Sequence, residues 1–148
     1  MKIDKFRGKY GFLSNFCMSP LWYDGILYPS SEHAYQAAKA DSYPEKEKIA
    51  RLKTPAETKR YAKTFTHRDG FHNVKTRIMF EIVLRKFVSN SFLTDKLLST
   101  GDAELIEGNT WHDNFWGNCT CDRKDCSIEG KNNLGRILME VRRILKGP

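Results

Sequence analysis

Glu32, Gln36 and Lys39 stand at positions i, i+4 and i+7, so that a helix through them would project a carboxylate, an amide and an amine from one face. Such a row could supply an acid, an orienting group and a nucleophile, because burial favours the neutral, attacking form of lysine. It could equally be an ordinary solvated face, and the spacing leaves both readings open. A second constellation is Trp111-His112-Asp113-Asn114-Phe115-Trp116-Gly117, where three aromatic rings surround one acid. Aromatics beside a carboxylate suit a pocket that stacks on a base or sugar and holds a hydroxyl or a developing cation. A loop that plugs the core would use the same residues.

Three smaller groups carry weaker signals. Asn15 sits between apolar flanks in Phe12-Leu13-Ser14-Asn15-Phe16, close to Gly8 and Gly11. The run Gly130-Lys131-Asn132-Asn133-Leu134-Gly135 places a lysine and backbone amides at a helix start, where an anion or simple capping would satisfy them. Cys119, Cys121 and Cys126 form C-x-C-x4-C, which does not match paired C-x2-C knuckles. No metal is therefore expected. Tetrahedral zinc on these three thiols with His112 is the weaker alternative to reduced loop cysteines. His33, His67 and His72 show no ligand spacing and read as surface residues or supports behind a site.

The elements that must position these groups are mostly helical. Asp24-Gly25 between Leu-Trp-Tyr and Ile-Leu-Tyr predicts a hairpin over Leu21 to Tyr28. Ser30 or Ser31 would cap a helix from Glu32 to Ala40, and Thr54-Pro55-Ala56-Glu57 opens another that runs to about Lys63. A wide apolar stripe predicts a buried central helix from Phe71 to Val88. A short helix follows from Phe92 to Leu98, and a last one opens at Asn132 or Asn133. The fold class is mainly α with a small β component near the N-terminus, in a single domain over residues 1–148.

Of the 148 residues, 40% are hydrophobic and 29% charged, which argues against disorder. No apolar run exceeds three residues, so a transmembrane helix or signal peptide is not expected and the chain reads as cytoplasmic, away from membranes. Four cysteines are too few for a disulfide scaffold. The formal charge is +7, and the excess lies in one segment: residues 43–86 hold twelve Lys/Arg against five Asp/Glu, while the remainder balances. Phosphate-bearing ligands or nucleic acid would be drawn to such a segment, and solvated helix faces would also account for it.

In order along the chain, Phe12-Leu13-Ser14-Asn15-Phe16, Asp24-Gly25 with Tyr28-Pro29-Ser30, Glu32-His33-x-Tyr35-Gln36-x-x-Lys39, Val74-Lys75 with Met79, Lys86-Phe87, Leu97-Leu98-x-Thr100-Gly101-Asp102, Asp113-x-x-Trp116-Gly117 and Gly130-Lys131-Asn132-x-Leu134-Gly135-x-x-Leu138-Met139-x-Val141-Arg142 resemble the YbiA-like, or NADAR, family. The resemblance implies a mostly helical fold and an N-glycosidase acting on ribosides, of the kind described for ribosylamino-pyrimidine intermediates of riboflavin synthesis and for ADP-ribose attached to guanine. It implies no cofactor and no obligatory metal. It puts Glu32, Lys39, Asp113 and Trp116 at active-site positions. In that setting Glu32, Lys39 and Asp113 are the catalytic candidates, and Asn15, Phe16, Tyr35, Gln36, Trp116, Gly117, Lys131 and Asn132 would contact the substrate. That substrate would be a phosphorylated riboside, an ADP-ribosyl compound, or nucleic acid carrying modified guanine. Two departures stand out: Phe71 where relatives often have Trp, and a lengthened stretch from Asn118 to Glu129. The rival reading is a non-catalytic module that binds ADP-ribose, an NAD derivative or nucleic acid.

Overall fold

In the computed structural model, which describes residues 1–148, the elements run in chain order β1 (Lys2–Ile3), a 3-10 turn (Gly8–Leu13), β2 (Met18–Tyr23), β3 (Ile26–Ser30), α1 (Ser31–Ala37), α2 (Tyr43–Ala50), α3 (Pro55–Tyr61) with a 3-10 extension (Ala62–Thr64), α4 (Phe71–Val88), α5 (Ser91–Leu98), β4 (Glu104–Leu105), β5 (Gly108–Asn109), β6 (Asn118–Cys119), a 3-10 turn (Lys124–Cys126) and α6 (Asn133–Lys146). The chain is mainly α, as its composition and periodicity predict. It packs as two units, Asn15–Ser89 and Met1–Ser14 with Asn90–Pro148. No helix is long and apolar enough to cross a membrane.

In the unit Asn15–Ser89 the predicted hairpin is present. Asp24 and Gly25 take φ of 52° and 82°, a left-handed pair that matches the twist of β2 against β3. The next residues start α1, which packs against α2, α3, α4 and both strands, so each residue from Ser31 to Ala37 is buried. Its N-cap is Ser30, whose Oγ accepts from the His33 amide at 3.1 Å. Ser30→Ala is expected to lower stability by about 2–4 kcal/mol, since it removes both the cap and the partner of buried His33 Nδ1, read as an earlier urea midpoint with an unchanged slope.

The expected helix to Ala40 stops short. The amides of Lys39 and Ala40 bond to Gln36 and Ala37, tightening the last turn, and the Lys39 carbonyl accepts from the Arg68 amide at 2.8 Å. Lys39 therefore lies in the turn beyond α1. Helix α2 escapes the periodicity reading because it buries only Ile49, although Ser42, Pro44 and Glu45 form a start signal and Ser42 does cap the Glu45 amide. Thr54 caps α3 as its capping box predicts, but α-helix ends at Tyr61 and continues to Thr64 as 3-10. Helix α4 has the predicted bounds and buries Phe71, Ile78, Met79, Ile82, Val83 and Phe87.

In the other unit, α6 turns Leu134, Ile137, Leu138 and Val141 inward and packs on α5 and β4. Gly135 lets the helix come that close, because a Cβ there would collide with the Leu105 carbonyl. Two parallel ladders of two residues each, β1 with β4 and β5 with β6, lie beyond the predicted β component. They are too short for any alternation to announce them.

Candidate functional site

Burial excludes a solvated face for the first two residues of the Glu32 row. Glu32 is 7% exposed and Gln36 3%, so neither belongs to a solvated face. Gln36 Nε2 donates to Glu32 Oε2 at 2.8 Å, fixing the carboxylate, while Gln36 Oε1 is buried with no hydrogen-bond partner in the chain. Lys39 is half-buried, its ammonium 5.2 Å from the Tyr35 ring centroid. Burial lowers its pKa, the Glu32 charge opposes that shift, and the cations of Lys59, Lys75 and Lys63 reinforce it. The amine is thereby moved toward the neutral form that attacks electrophiles.

Asn15 anchors the start of α1. Its carbonyl accepts from the Glu32 amide at 3.1 Å, its Oδ1 from the Ser31 hydroxyl at 2.9 Å, and its side-chain amide donates to Met79 Sδ at 3.4 Å. Phe16, the next residue, is 45% exposed and offers a ring for stacking. Tyr35 is buried against Phe71, with ring centroids 5.6 Å apart. His33 corrects the surface reading: it is fully buried, bonded through Nδ1 to Ser30 Oγ at 2.7 Å and through Nε2 to the Leu52 carbonyl at 2.8 Å. Because a carbonyl only accepts, Nε2 carries the proton, and burial lowers the ring's pKa, favouring the neutral form.

The aromatic loop belongs to the other unit and is built around Asn109, which no sequence motif marks. Asn109 is buried. Its Oδ1 accepts from the amides of Trp111 and Asp113 at 3.3 and 3.1 Å, and its Nδ2 donates to the Asp113 carbonyl at 2.8 Å. Asp113 Oδ1 in turn accepts from the amides of Phe115 and Trp116 at 3.1 and 2.8 Å. One oxygen of this catalytic candidate is thus committed to holding the loop. Trp116 meets Phe115 edge-on at 4.8 Å, and Lys131 Nζ lies 5.6 Å from the Phe115 ring. Gly117 is set by a close approach, since a Cβ there would strike the Glu107 carbonyl and carboxylate.

The helix-start anion site does not form. The amides of Lys131, Asn132, Asn133 and Leu134 donate to the carbonyls of Asn114, Gly117, Phe115 and Trp116 at 2.8–3.2 Å, so the aromatic loop itself fills the place an anion would take. Asn132, expected to touch substrate, bridges backbone instead: Oδ1 accepts from the Glu107 amide at 3.0 Å and Nδ2 donates to the Leu105 carbonyl at 2.9 Å. His112 and the three loop cysteines do come together.

The NADAR domain model matches residues 4–146. A riboflavin biosynthesis protein of Vibrio vulnificus is 39% identical over 139 residues, which cover 93% of this chain but 36% of that protein. The N-glycosidase YbiA of Escherichia coli is 34% identical over 135 residues, covering 90% of this chain and 80% of the relative. The NMR structure of E. coli YbiA superposes with a TM-score of 0.81 at 32% identity, over 99% of this chain and 87% of that one.

Proposed function

The chain belongs to the NADAR domain family and with it to the hydrolases of N-glycosyl compounds, and on that premise we propose that it cleaves the N-ribosidic bond of a phosphate-bearing riboside, with ADP-ribose on guanine as the first substrate candidate. The observation that carries the reading is the buried group on α1: a carboxylate fixed by Gln36 and, beyond the helix end, a lysine whose charge is disfavoured. A site that only binds needs no amine whose pKa is lowered.

Glu32 protonates or orients the ribose while the Lys39 amine attacks the anomeric carbon. The C–N bond to the base breaks with its electron pair leaving on the base, which takes up a proton; the ribosylamine on Lys39 then opens its ring, the C1′–O4′ bond breaking as O4′ takes a proton, and the resulting Schiff base is hydrolysed by water, freeing the sugar and restoring Lys39. The orphan acceptor of Gln36 has the character of a group that receives a substrate hydroxyl, because an unpaired buried acceptor costs about 1–3 kcal/mol until filled. Phe16, in the same unit as Glu32 and Lys39, is the stacking candidate for base or sugar.

The basic excess of residues 43–86 favours a polyanionic substrate, which places ADP-ribosylated guanine in nucleic acid ahead of a mononucleotide. The relative named for riboflavin biosynthesis supports a second candidate, a phosphoribosylamino-pyrimidine. The test is release of base or ADP-ribose, followed by mass spectrometry, across a panel holding both compounds and an ADP-ribosylated oligonucleotide. Turnover of the oligonucleotide that falls steeply with salt supports the first candidate; turnover of the pyrimidine alone supports the second. Tight binding of the panel with no turnover of any member would make the chain a binding module.

A further inference from the structure

Three thiols from the stretch after the aromatic loop converge on one imidazole of that loop. His112 Nδ1 lies 4.0 Å from Cys119 Sγ, 3.2 Å from Cys121 Sγ and 3.6 Å from Cys126 Sγ. All four donor atoms fall within 4.8 Å of one another, and the cysteines are free thiols. Tetrahedral zinc, with Zn–S about 2.3 Å and Zn–N about 2.0 Å, requires N···S edges of about 3.5 Å. The three observed separations bracket that length.

We propose that His112, Cys119, Cys121 and Cys126 form a structural zinc site. Separate elements deliver the ligands. The β5–β6 ladder fixes Cys119, the 3-10 turn Lys124–Cys126 fixes Cys126, and a left-handed backbone at His112, with φ of 71°, aims the imidazole. The supporting hydrogen bonds suit thiolates: the Cys121 amide donates to Cys119 Sγ at 3.4 Å and Asn114 Nδ2 donates to Cys126 Sγ at 3.6 Å. Asn114 Oδ1 also holds the Cys119 amide at 2.8 Å, so the loop that carries the ligands is braced from within. Soft thiolates and an imidazole in a tetrahedron select zinc over harder ions, and four protein ligands leave no open position for chemistry. On binding, the thiols give up their protons to solvent. The ion would clamp residue 112 to residues 119–126 and so brace the loop that bears Asp113 and Trp116.

The test uses the full chain, purified without chelator under reducing conditions, and reads metal rather than turnover. Elemental analysis is expected to find about one zinc per chain. Cobalt titrated into the stripped protein should give the intense d–d bands of a tetrahedral thiolate-rich site, altered in His112→Ala. Cys121→Ser should weaken metal binding by more than the roughly 10–100-fold that loss of a supporting residue costs. If a ligand variant misfolds, as judged by circular dichroism, the cobalt spectrum of the unaltered chain decides alone. Failure of that chain to take up zinc or cobalt, with its thiols shown to be reduced by titration, overturns the proposal. So does metal binding that Cys121→Ser leaves unchanged in a folded protein.

Discussion

Lys39→Ala is expected to slow release of the base by on the order of 10²–10⁴-fold while leaving the thermal midpoint nearly unchanged, because the side chain is half-buried and lies in a turn beyond α1. Lys39→Arg separates two roles. An arginine keeps the positive charge but cannot form a Schiff base, so a variant as inactive as alanine points to nucleophilic attack, and one that retains most activity points to electrostatic support of a water-based route. Borohydride added during turnover should leave a ribosyl adduct on the unaltered chain at Lys39 and none on either variant. The pH profile follows from the same group. Its lowered pKa means that the attacking form is gained as pH rises, at a lower pH than for a solvated lysine.

Lys86 should add to the stability of the protein as pH rises from about 8 to 10.5. It is 1% exposed near the end of α4, with its ammonium 5.2 Å from the Phe87 ring centroid. Burial lowers its pKa to about 8, with Cys17 opposing, from 10.5 in the unfolded chain. Between those values the unfolded state binds more protons than the folded one, so stability rises with pH across the window. Below about 8 both states are protonated and the folded state holds its charge in a buried site; above 10.5 both are neutral and that cost is gone. The stability difference between the unaltered chain and Lys86→Met is therefore expected to shift in favour of the unaltered chain by about 3 kcal/mol from roughly pH 7.5 to pH 11. Parallel stability curves for the two proteins, from urea unfolding at each pH, would show that Lys86 is hydrated or otherwise neutralised in the fold.

Much of this molecule is legible in its sequence where the pattern is long or the turn chemistry specific. The bounds of α4, the Asp24-Gly25 turn and the Thr54 cap follow from an apolar stripe, a dipeptide that accepts left-handed φ, and a hydroxyl three residues ahead of a glutamate. The row on α1 is legible as chemistry but not as buried chemistry, because spacing does not say what packs over a face. Lys86 shows the same limit from the other side. It reads as one more solvated cation in a basic segment, and only the packing of α4 reveals it as enclosed. Asn109 and Asn132 are not distinguishable from ligand-binding amides by type or spacing, since their work is to replace backbone partners in strands of two residues, which leave no periodic trace. The anion site at the start of α6 fails for a related reason: the carbonyls that occupy those amides come from a separate loop, residues 114–117, earlier in the chain.

Both ends of the cysteine-bearing stretch are pinned. The Asn118 amide is held by the Glu107 carbonyl at 2.9 Å, the Gly130 amide by Asn118 Oδ1 at 2.7 Å and the Lys131 amide by the Asn114 carbonyl at 2.8 Å. The residues between are thus an excursion that leaves and returns to one fixed gate. The entropy of closing such a loop grows only logarithmically, by about 0.6 kcal/mol for each doubling of its length. Lengthening it to house a new cluster of side chains therefore asks little of the rest of the fold, and shortening it would return little. The closure of that gate, and not the length of chain beyond it, sets the entropy of the excursion.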